Sequence, residues 1–188
     1  MFSSTMKKNR IQRIIVDIDN TLWDFASVFQ EKLKEIAPDI PPMTEWEWDF
    51  YMDYISIEEL YSIVNDIHIE QDLFKPFKSS KWFLESLINK GYEITIASHR
   101  QEISREATEM FLKKNNLPYT ELHLSSNKAV LFDSSIAIVD DAPHLLDEAK
   151  KNGLICTGLL HPWNKHTEHP LFKSLEEIFD YLKRMLDS

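Results

Sequence analysis

The chain has 188 residues, 43% of them hydrophobic, which is enough for one domain with a sizeable core. Its net charge of -10 disfavours duplex nucleic acid as a partner, because phosphate backbones are bound by clustered Lys and Arg. Cys156 is the single cysteine, which excludes an intramolecular disulfide and a cysteine-rich zinc site. No apolar run approaches the length of a membrane span, so we expect no membrane contact and a cytoplasmic protein by default.

An apolar run leads directly into two acidic residues near the start of the chain. Ile14, Ile15 and Val16 precede Asp17 and Asp19, and a short β-branched run is typical of a strand buried on both faces. Ligands of open α/β sheets bind at the carboxyl ends of the strands. Two neighbouring carboxylates repel each other unless a cation or a proton separates them. The pair predicts a divalent metal, acid/base chemistry or both; a solvated acidic loop is the alternative.

The next predicted element is an amphipathic helix. Phe25, Phe29 and Leu33 recur every fourth residue, which places them on one helical face. Pro38 ends the pattern, because a proline disfavours helical conformation at the residue before it. The helix therefore begins close to the acidic stretch and ends before residue 38.

Residues 38–76 differ in composition from the rest of the chain. They contain several prolines and many aromatic residues, among them Trp46 and Trp48, and no strand-like run. We predict a small helical cap, inserted after the first helix into a core made of residues 1–37 and 77–188. The insert would lie beside the crevice as a lid. Alternatively, its aromatic rings only build the insert's own core.

Strands alternate with helices from residue 77 onward. The apolar runs predict strands at 92–97, 121–124, 136–139 and 154–157. The helical patterns fall at 80–90, 101–115 and 143–153 and after Ser174. We interpret 161–170, which contains three histidines, as a solvated polar loop rather than a metal site. This order predicts an α/β fold, with a Rossmann-like parallel sheet, helices on both faces and right-handed crossovers.

Polar residues mark the predicted strand ends and the loop that follows one of them. They are Asp17 and Asp19, Ser98, Lys128, and the pair Asp140 and Asp141. Taken singly, each has an ordinary alternative: the serine could cap a helix, the lysine could lie on the surface, and the aspartates could be solvated. Parallel strands bring their carboxyl ends to one edge, so a shared site explains all of them together.

Phosphoryl transfer is the chemistry that these residue types suit. It needs a nucleophile, neutralisation of the phosphoryl oxygens and a group that protonates the leaving oxygen. Carboxylate and carbonyl oxygens are the ligands that Mg²⁺ prefers. A hydroxyl and an ammonium can hold the non-bridging oxygens of a phosphoryl group.

The motifs Asp17-Ile-Asp19-Asn-Thr21-Leu22, Ser98, Lys128 and Val139-Asp140-Asp141 resemble, in this order, the four motifs of the haloacid dehalogenase-type phosphatase superfamily. The resemblance implies that Asp17 is the nucleophile and forms an aspartyl-phosphate. It implies that Asp19 protonates the leaving group and then activates water, and that Ser98 and Lys128 bind the phosphoryl group. The presence of Asp19 argues against the dehalogenase branch, which generally lacks this acid.

The resemblance also implies a Mg²⁺ site. Its ligands would be the Asp17 carboxylate, the backbone carbonyl of Asp19 and an acidic residue of the fourth motif. We favour Asp141 as that ligand, with Asp140 behind it, although either aspartate of the pair could bind the metal directly.

A narrower resemblance is to the 5'(3')-deoxyribonucleotidases. It is carried by Leu22-Trp-Asp-Phe25, by the sequences around Lys128 and Asp140, and by the His161-Pro-Trp-Asn-Lys165 loop. It implies that Phe25 lines a nucleoside pocket. Trp46 and Trp48 of the insert would stack on the base, and His99 and Arg100, which follow Ser98, would touch substrate.

The leading prediction is therefore a Mg²⁺-dependent phosphomonoesterase whose partner is a small phosphorylated metabolite, in particular a nucleoside monophosphate. A sugar-phosphate phosphatase, another small-metabolite phosphatase or a phosphomutase on the same motifs is the enzyme alternative. A binding module that keeps the fold but is catalytically weak is the non-enzyme alternative. The sequence leaves the oligomeric state open, with a homodimer as one option.

Overall fold

A computed structural model describes residues 12–45 and 48–187, apart from the side chain of Trp48. The strands in these residues are β1 (Arg13–Val16), β2 (Glu93–Ser98), β3 (Glu121–Leu124), β4 (Ala137–Val139), β5 (Ile155–Leu159) and β6 (Leu171–Phe172). They form one parallel sheet in the order β3-β2-β1-β4-β5-β6. The acidic stretch after β1 therefore lies near the middle of the carboxyl edge.

The helices alternate with the strands along the chain. They are α1 (Phe25–Ile36), α2 (Ile57–Ile69), α3 (Ser80–Asn89), α4 (Arg105–Lys114), α5 (Pro143–Lys151) and α6 (Leu175–Leu186). The Asp24 side chain caps α1 by accepting a hydrogen bond from the backbone N–H of Ser27 at 3.1 Å. None of the helices in the described ranges is long and apolar enough to cross a lipid bilayer.

Side chains of β1 alternate between two hydrophobic clusters. Ile14 and Val16 belong to a large cluster with residues of α1, α3 and α6, whereas Ile15 belongs to a smaller one with residues of α5. All three side chains are fully buried. Burial on both faces explains why the strand appears in the sequence as a continuous apolar run. The predicted parallel α/β fold, with helices on both faces of the sheet, is confirmed.

The described part of the 38–76 segment combines helices with irregular chain. It contains a 3₁₀-helix at Trp48–Tyr51, then α2, then a 3₁₀-helix at Gln71–Leu73, and no strand within its described residues. Ser56 and Glu59 begin α2 with a reciprocal capping box, in which each side chain accepts a hydrogen bond from the other residue's backbone N–H.

Buried residues of this segment continue the main core. Tyr51, Leu60 and Ile67 belong to the same hydrophobic cluster as Ile14 of β1. The ring of Tyr51 packs edge-on against Phe29 of α1, with 5.7 Å between the ring centroids. The described rings therefore do not build a separate core for the insert. The boundaries of a cap at 38–76 stay a prediction.

The structure also contains short elements that the sequence pattern did not predict. β6 follows the 161–170 loop, and 3₁₀-helices occur at Glu102–Ser104 and Ala129–Ser134. β6 has only 2 residues, too few to show an alternation of polar and apolar side chains. The helix predicted at 101–115 is divided in the structure into the 3₁₀-helix at Glu102–Ser104 and α4.

Candidate active site

Three neighbouring strands bring the predicted site residues to one edge of the sheet. Asp17 follows β1, Ser98 ends β2 and Asp140 follows β4, and these strands are adjacent in the order β2-β1-β4. Lys128 lies between β3 and β4, immediately before the 3₁₀-helix at Ala129–Ser134. Parallel pairing thus brings Asp17 and Lys128 into contact although they are 111 positions apart.

A buried lysine joins two carboxylates at the centre of the site. The ammonium of Lys128 contacts Asp17 Oδ1 and donates a hydrogen bond to Asp140 Oδ2 at 2.7 Å. The Lys128 side chain is 6% exposed, so it is not an ordinary surface lysine. Burial would lower the pKa of Lys128, but the two carboxylates outweigh burial and raise it. Burial raises the pKa of Asp17 well above its ordinary value, since the opposing effect of Lys128 is smaller.

Two side chains orient Asp141 by binding the same oxygen. Asn20 Nδ2 and Trp163 Nε1 both donate to Asp141 Oδ2, at 3.0 and 3.1 Å. Asp141 Oδ1 accepts no hydrogen bond from any residue that the structure describes. Both oxygens of Asp140, by contrast, accept hydrogen bonds, one from an ammonium and one from a backbone N–H. Asp141 therefore has an oxygen without a hydrogen-bond partner among the described residues, whereas each oxygen of Asp140 already accepts one hydrogen bond.

The three carboxylates of Asp17, Asp140 and Asp141 form a compact group. Each offers one oxygen, and these oxygens lie within 4.8 Å of one another. All three side chains are buried. Burial raises the pKa of Asp141, and the negative charges of Asp140 and Asp17 raise it further. Crowded carboxylates are unfavourable without a compensating cation. These carboxylate oxygens, of which Asp17 Oδ2 and Asp141 Oδ1 accept no hydrogen bond from the described residues, fit a hard divalent cation such as Mg²⁺.

Asp19 belongs to a separate network although it is close to Asp17 in sequence. Arg100 Nη2 donates to both of its oxygens, at 2.7 and 2.8 Å. Trp23 Nε1 donates to Oδ1 at 2.8 Å. Ser98 Oγ donates to Oδ2 at 3.2 Å, and His68 Nε2 lies 3.1 Å from the same oxygen. Burial favours the neutral acid, but Arg100 and His68 outweigh it and hold the pKa of Asp19 well below its usual range.

Comparison with curated proteins gives one informative match. No protein-family model matches the chain. It is 24% identical over 200 residues to a protein of Chlorobaculum tepidum named "Putative 5'(3')-deoxyribonucleotidase", and the match covers 96% of this chain and 94% of that protein.

Comparison with solved structures decides the fold. A conserved haloacid dehalogenase-like protein from Agrobacterium tumefaciens matches with a TM-score of 0.65 and 14% identity, over 94% of this chain and 99% of that one. A HAD family hydrolase from Deinococcus radiodurans, solved with bound phosphate and sodium, matches with a TM-score of 0.63 and 12% identity, over 93% and 96%. The chain has a haloacid dehalogenase-like fold. The resemblance predicted from the four motifs is confirmed, and the curated relative agrees with the narrower similarity.

The residues predicted to contact substrate lie in different places on this haloacid dehalogenase-like fold. Phe25 begins α1 and is 7% exposed, stacked on Phe29 with the ring of His68 at 5.4 Å. The side chain of His99 reaches solvent. Its pKa is nevertheless lowered, because neighbouring atoms partly remove the ring from water and because Lys128 carries a positive charge nearby. Arg100 is buried, and each of its three side-chain nitrogens donates a hydrogen bond to a neighbouring protein group. Trp46 and the side chain of Trp48 lie outside the described residues.

Several residues of the site were missed at the level of sequence. His68 and Gln71 come from the 38–76 segment, and Asn20 and Trp163 come from loops. His68 lies on the buried face of α2 beside Ile67, and a polar residue on an apolar helical face is the signal that could have indicated it.

The prediction of a solvated loop at 161–170 is wrong for several of its residues. Trp163, Asn164 and His169 are buried. Asn164 Nδ2 donates to the backbone oxygen of Leu159 at 2.9 Å, which ties the loop to the end of β5. The ring of His161 stacks on Trp163 at 4.4 Å. The loop is ordered by these contacts because its polar side chains satisfy buried backbone groups.

Proposed function

We propose that the chain is a Mg²⁺-dependent phosphomonoesterase that acts through an aspartyl-phosphate on Asp17. The observation that carries this proposal is the buried contact between Asp17 and Lys128 at the carboxyl edge of the sheet, beside Asp140 and Asp141. A fixed ammonium and a cation site next to a carboxylate would neutralise the oxygens of a phosphoryl group as the carboxylate approaches phosphorus.

Two side chains and one backbone group would hold the Mg²⁺ ion in this proposal. They are the Asp17 carboxylate, the free oxygen of Asp141 and the backbone carbonyl of Asp19. Asp140 would not bind the ion directly and would instead hold Lys128 in place, because its two oxygens already accept hydrogen bonds from Lys128 and from the N–H of Ala142. When bound, the ion would offset the repulsion among the carboxylates and the charge of the incoming phosphate.

The reaction would proceed in two displacements. In the first, an Asp17 oxygen forms a bond to phosphorus and the bond from phosphorus to the leaving oxygen breaks. Because Arg100 and His68 hold Asp19 ionised in the free protein, Asp19 must take up a proton from solvent when substrate binds, and it then gives this proton to the leaving oxygen. In the second, Asp19 takes a proton from water, the water oxygen attacks phosphorus, and the bond to Asp17 breaks to release inorganic phosphate. Ser98 and Lys128 would bind the non-bridging phosphoryl oxygens throughout.

We further propose nucleoside monophosphates as substrates, with deoxypyrimidine forms preferred. The similarity to the protein named as a deoxyribonucleotidase supports this choice. Phe25 lies at the start of α1, next to the Asp19 network through its contact with His68. Trp46 and Trp48 would complete an aromatic wall, and a ring that stacks on a base contributes roughly 1–3 kcal/mol. His99 would contact the substrate from the rim, and residues 38–76 would act as the lid.

The experiment that tests this proposal compares substrates under one set of conditions. We expect hydrolysis of an aryl phosphate with Mg²⁺ and none after chelation. Deoxyuridine and thymidine monophosphates should have higher kcat/KM than sugar phosphates of similar charge. Phe25→Ala should lower kcat/KM for the nucleotides more than for the sugars, because only the nucleotides have a base to stack. Phe50→Ala is the matched control, since Phe50 is a half-buried ring that packs on Tyr51 of the insert.

The two levels of the proposal can fail separately. If kcat/KM is tenfold or more higher for sugar phosphates than for nucleotides, the nucleotide proposal is wrong. The same holds if Phe25→Ala lowers kcat/KM equally for all substrates. Either result would keep the proposal of a phosphatase. The absence of Mg²⁺-dependent turnover on every phosphomonoester would remove both.

A further inference from the structure

Arg100 is the most extensively bonded charged side chain near the proposed catalytic acid. Its side chain is 0% exposed. Nη2 binds both oxygens of Asp19, Nε donates to Ser98 Oγ at 2.9 Å, and Nη1 donates to Gln71 Oε1 and Thr108 Oγ1 at 2.9 and 2.8 Å. A guanidinium with this many partners is held in one orientation.

The contacts of Arg100 join two parts of the chain. Ser98 and Thr108 belong to β2 and α4, whereas Gln71 belongs to the 38–76 segment. The same segment supplies His68, whose Nε2 lies 3.1 Å from Asp19 Oδ2. The carboxylate of Asp19 therefore has two neighbours from different segments: Arg100, which follows β2, and His68, which lies in the 38–76 segment.

We propose that Arg100 is a positioning residue that fixes the Asp19 carboxylate for its proton transfers, and that His68 and Gln71 make this position depend on the docking of α2. The inference rests on the proposed function, since it assigns a role within that reaction. It differs from direct substrate binding: Arg100 acts through Asp19, because each of its three side-chain nitrogens already donates to a protein group and none of its side chain is exposed.

Geometry explains why an arginine is needed at this position. A carboxylate can rotate about its side-chain bonds, and a proton transfer requires its oxygen within hydrogen-bond reach of the leaving group. The planar guanidinium of Arg100 can bind Asp19 while its other nitrogens bind Ser98, Gln71 and Thr108. A lysine keeps the charge but presents one ammonium, which cannot make these contacts together.

The structure contains its own reporters for both groups of carboxylates. Trp23 Nε1 donates to Asp19 Oδ1 at 2.8 Å, and Trp163 Nε1 donates to Asp141 Oδ2 at 3.1 Å. The indole N–H resonances of these tryptophans, assigned with Trp→Phe variants, therefore follow Asp19 and Asp141 independently of any turnover.

The test compares Arg100→Lys with the wild-type protein. We expect kcat to fall at least about tenfold for an alkyl phosphate, whose leaving oxygen needs a proton, and less than about threefold for an activated aryl phosphate. KM and Mg²⁺ affinity should stay within about twofold, because Arg100 contacts none of the side chains of Asp17, Lys128 and Asp141. Ser98 loses its bond from Arg100 but keeps its place at the end of β2. The Trp23 indole resonance should shift and exchange faster with solvent, while the Trp163 resonance stays in place. His68→Asn should change both readouts in the same direction.

Arg105→Lys is the matched control, because Arg105 is partly exposed and pairs with Glu102 on the surface. It should leave both readouts unchanged. If Arg100→Lys does not fold, Thr108→Val removes one contact of Arg100 without touching Asp19, and it should shift the Trp23 resonance to a smaller extent.

The outcomes separate this inference from the proposed function. An equal loss on both substrates with a raised KM and an unmoved Trp23 resonance would show Arg100 to be a phosphate ligand and would overturn the inference. An unmoved Trp23 resonance in both Arg100→Lys and Thr108→Val would also overturn it. A wild-type protein that hydrolyses no phosphomonoester would remove the proposed function, whereas the Trp23 resonance would still test the positioning of Asp19.

Discussion

Adjacent aspartates at the end of β4 make different contacts, although both are buried and acidic. Asp140 accepts hydrogen bonds on both oxygens, whereas Asp141 accepts two on Oδ2 and none on Oδ1 from the described residues. Residues that hold a ligating carboxylate in one orientation are as important to a metal site as the ligand itself. Asn20 and Trp163 have this place beside Asp141, which supports Asp141 as the direct ligand in the proposed site.

Replacing Asp141 tests this assignment. In Asp141→Asn we expect Mg²⁺ binding, measured by calorimetry, to be lost. The metal-free variant should unfold at a higher temperature than the wild type, because removing one of three crowded carboxylates relieves their repulsion. Saturating Mg²⁺ should stabilise the wild type by about 2.7 kcal/mol at one hundred times the dissociation constant and should not stabilise the variant.

Two control variants accompany this measurement. Asp133→Asn changes an exposed aspartate and should leave Mg²⁺ binding intact. If Asp141→Asn binds Mg²⁺ normally and Asp140→Asn does not, the roles of the two aspartates are the reverse of those proposed.

At the scale of elements, β5 sets the position of the loop that carries these aspartates. A Cβ atom built on Gly158 would lie 1.9 Å from the backbone oxygen of Asp140 and 3.0 Å from its carbonyl carbon. No side chain fits at that distance, so the glycine permits a close approach of the two backbones. The backbone N–H of Asp140 also donates to the oxygen of Thr157 on β5 at 3.1 Å. The position of the Asp140 and Asp141 carboxylates thus depends on the close packing of the Asp140 backbone against Gly158 of β5.

Gly158→Ala tests this dependence. The methyl group must displace the Asp140 backbone, so we expect a loss of about 1–3 kcal/mol in the free energy of unfolding and weaker Mg²⁺ binding. Cys156→Ala is the control on the same strand. It removes a buried atom without a clash, so it should lower stability by about 1 kcal/mol and preserve Mg²⁺ affinity. Normal Mg²⁺ affinity in a folded Gly158→Ala protein would mean that the loop adjusts without moving the carboxylates.

At the scale of the whole molecule, the sequence predicted those helices and strands whose apolar residues form a continuous run or recur at a regular spacing. The apolar run at Ile14 and the recurrence of Phe25, Phe29 and Leu33 predicted β1 and α1 correctly. The parallel direction of the strands followed from their alternation with helices, whereas their order within the sheet was not predicted. The same topology explains why Asp17 and Lys128 meet.

The contacts that cross between distant segments could not be predicted in this way. Whether Arg100 binds substrate or Asp19 depends on how α2 packs against α4. The spacing of apolar residues along the sequence does not reveal that packing. His68 and Gln71 lie in a segment whose position relative to the sheet is set by its buried face. Trp163 lies in a polar loop where composition favours solvent exposure, and only its contact with Asp141 reveals its place.

The identity of the nucleophile is the central claim, and trapping the phosphoryl group on the protein tests it most directly. The experiment uses Asp19→Asn, in which the loss of the base slows release of the phosphoryl group. The protein is mixed with an activated aryl phosphate and Mg²⁺, quenched in acid, digested and weighed by mass spectrometry. We predict one added phosphoryl group on the peptide that contains Asp17. The folded single variant Asp17→Asn should lose activity by several orders of magnitude. A phosphoryl group on a different residue, or an Asp17→Asn protein that keeps more than about a tenth of the wild-type rate, would contradict the account.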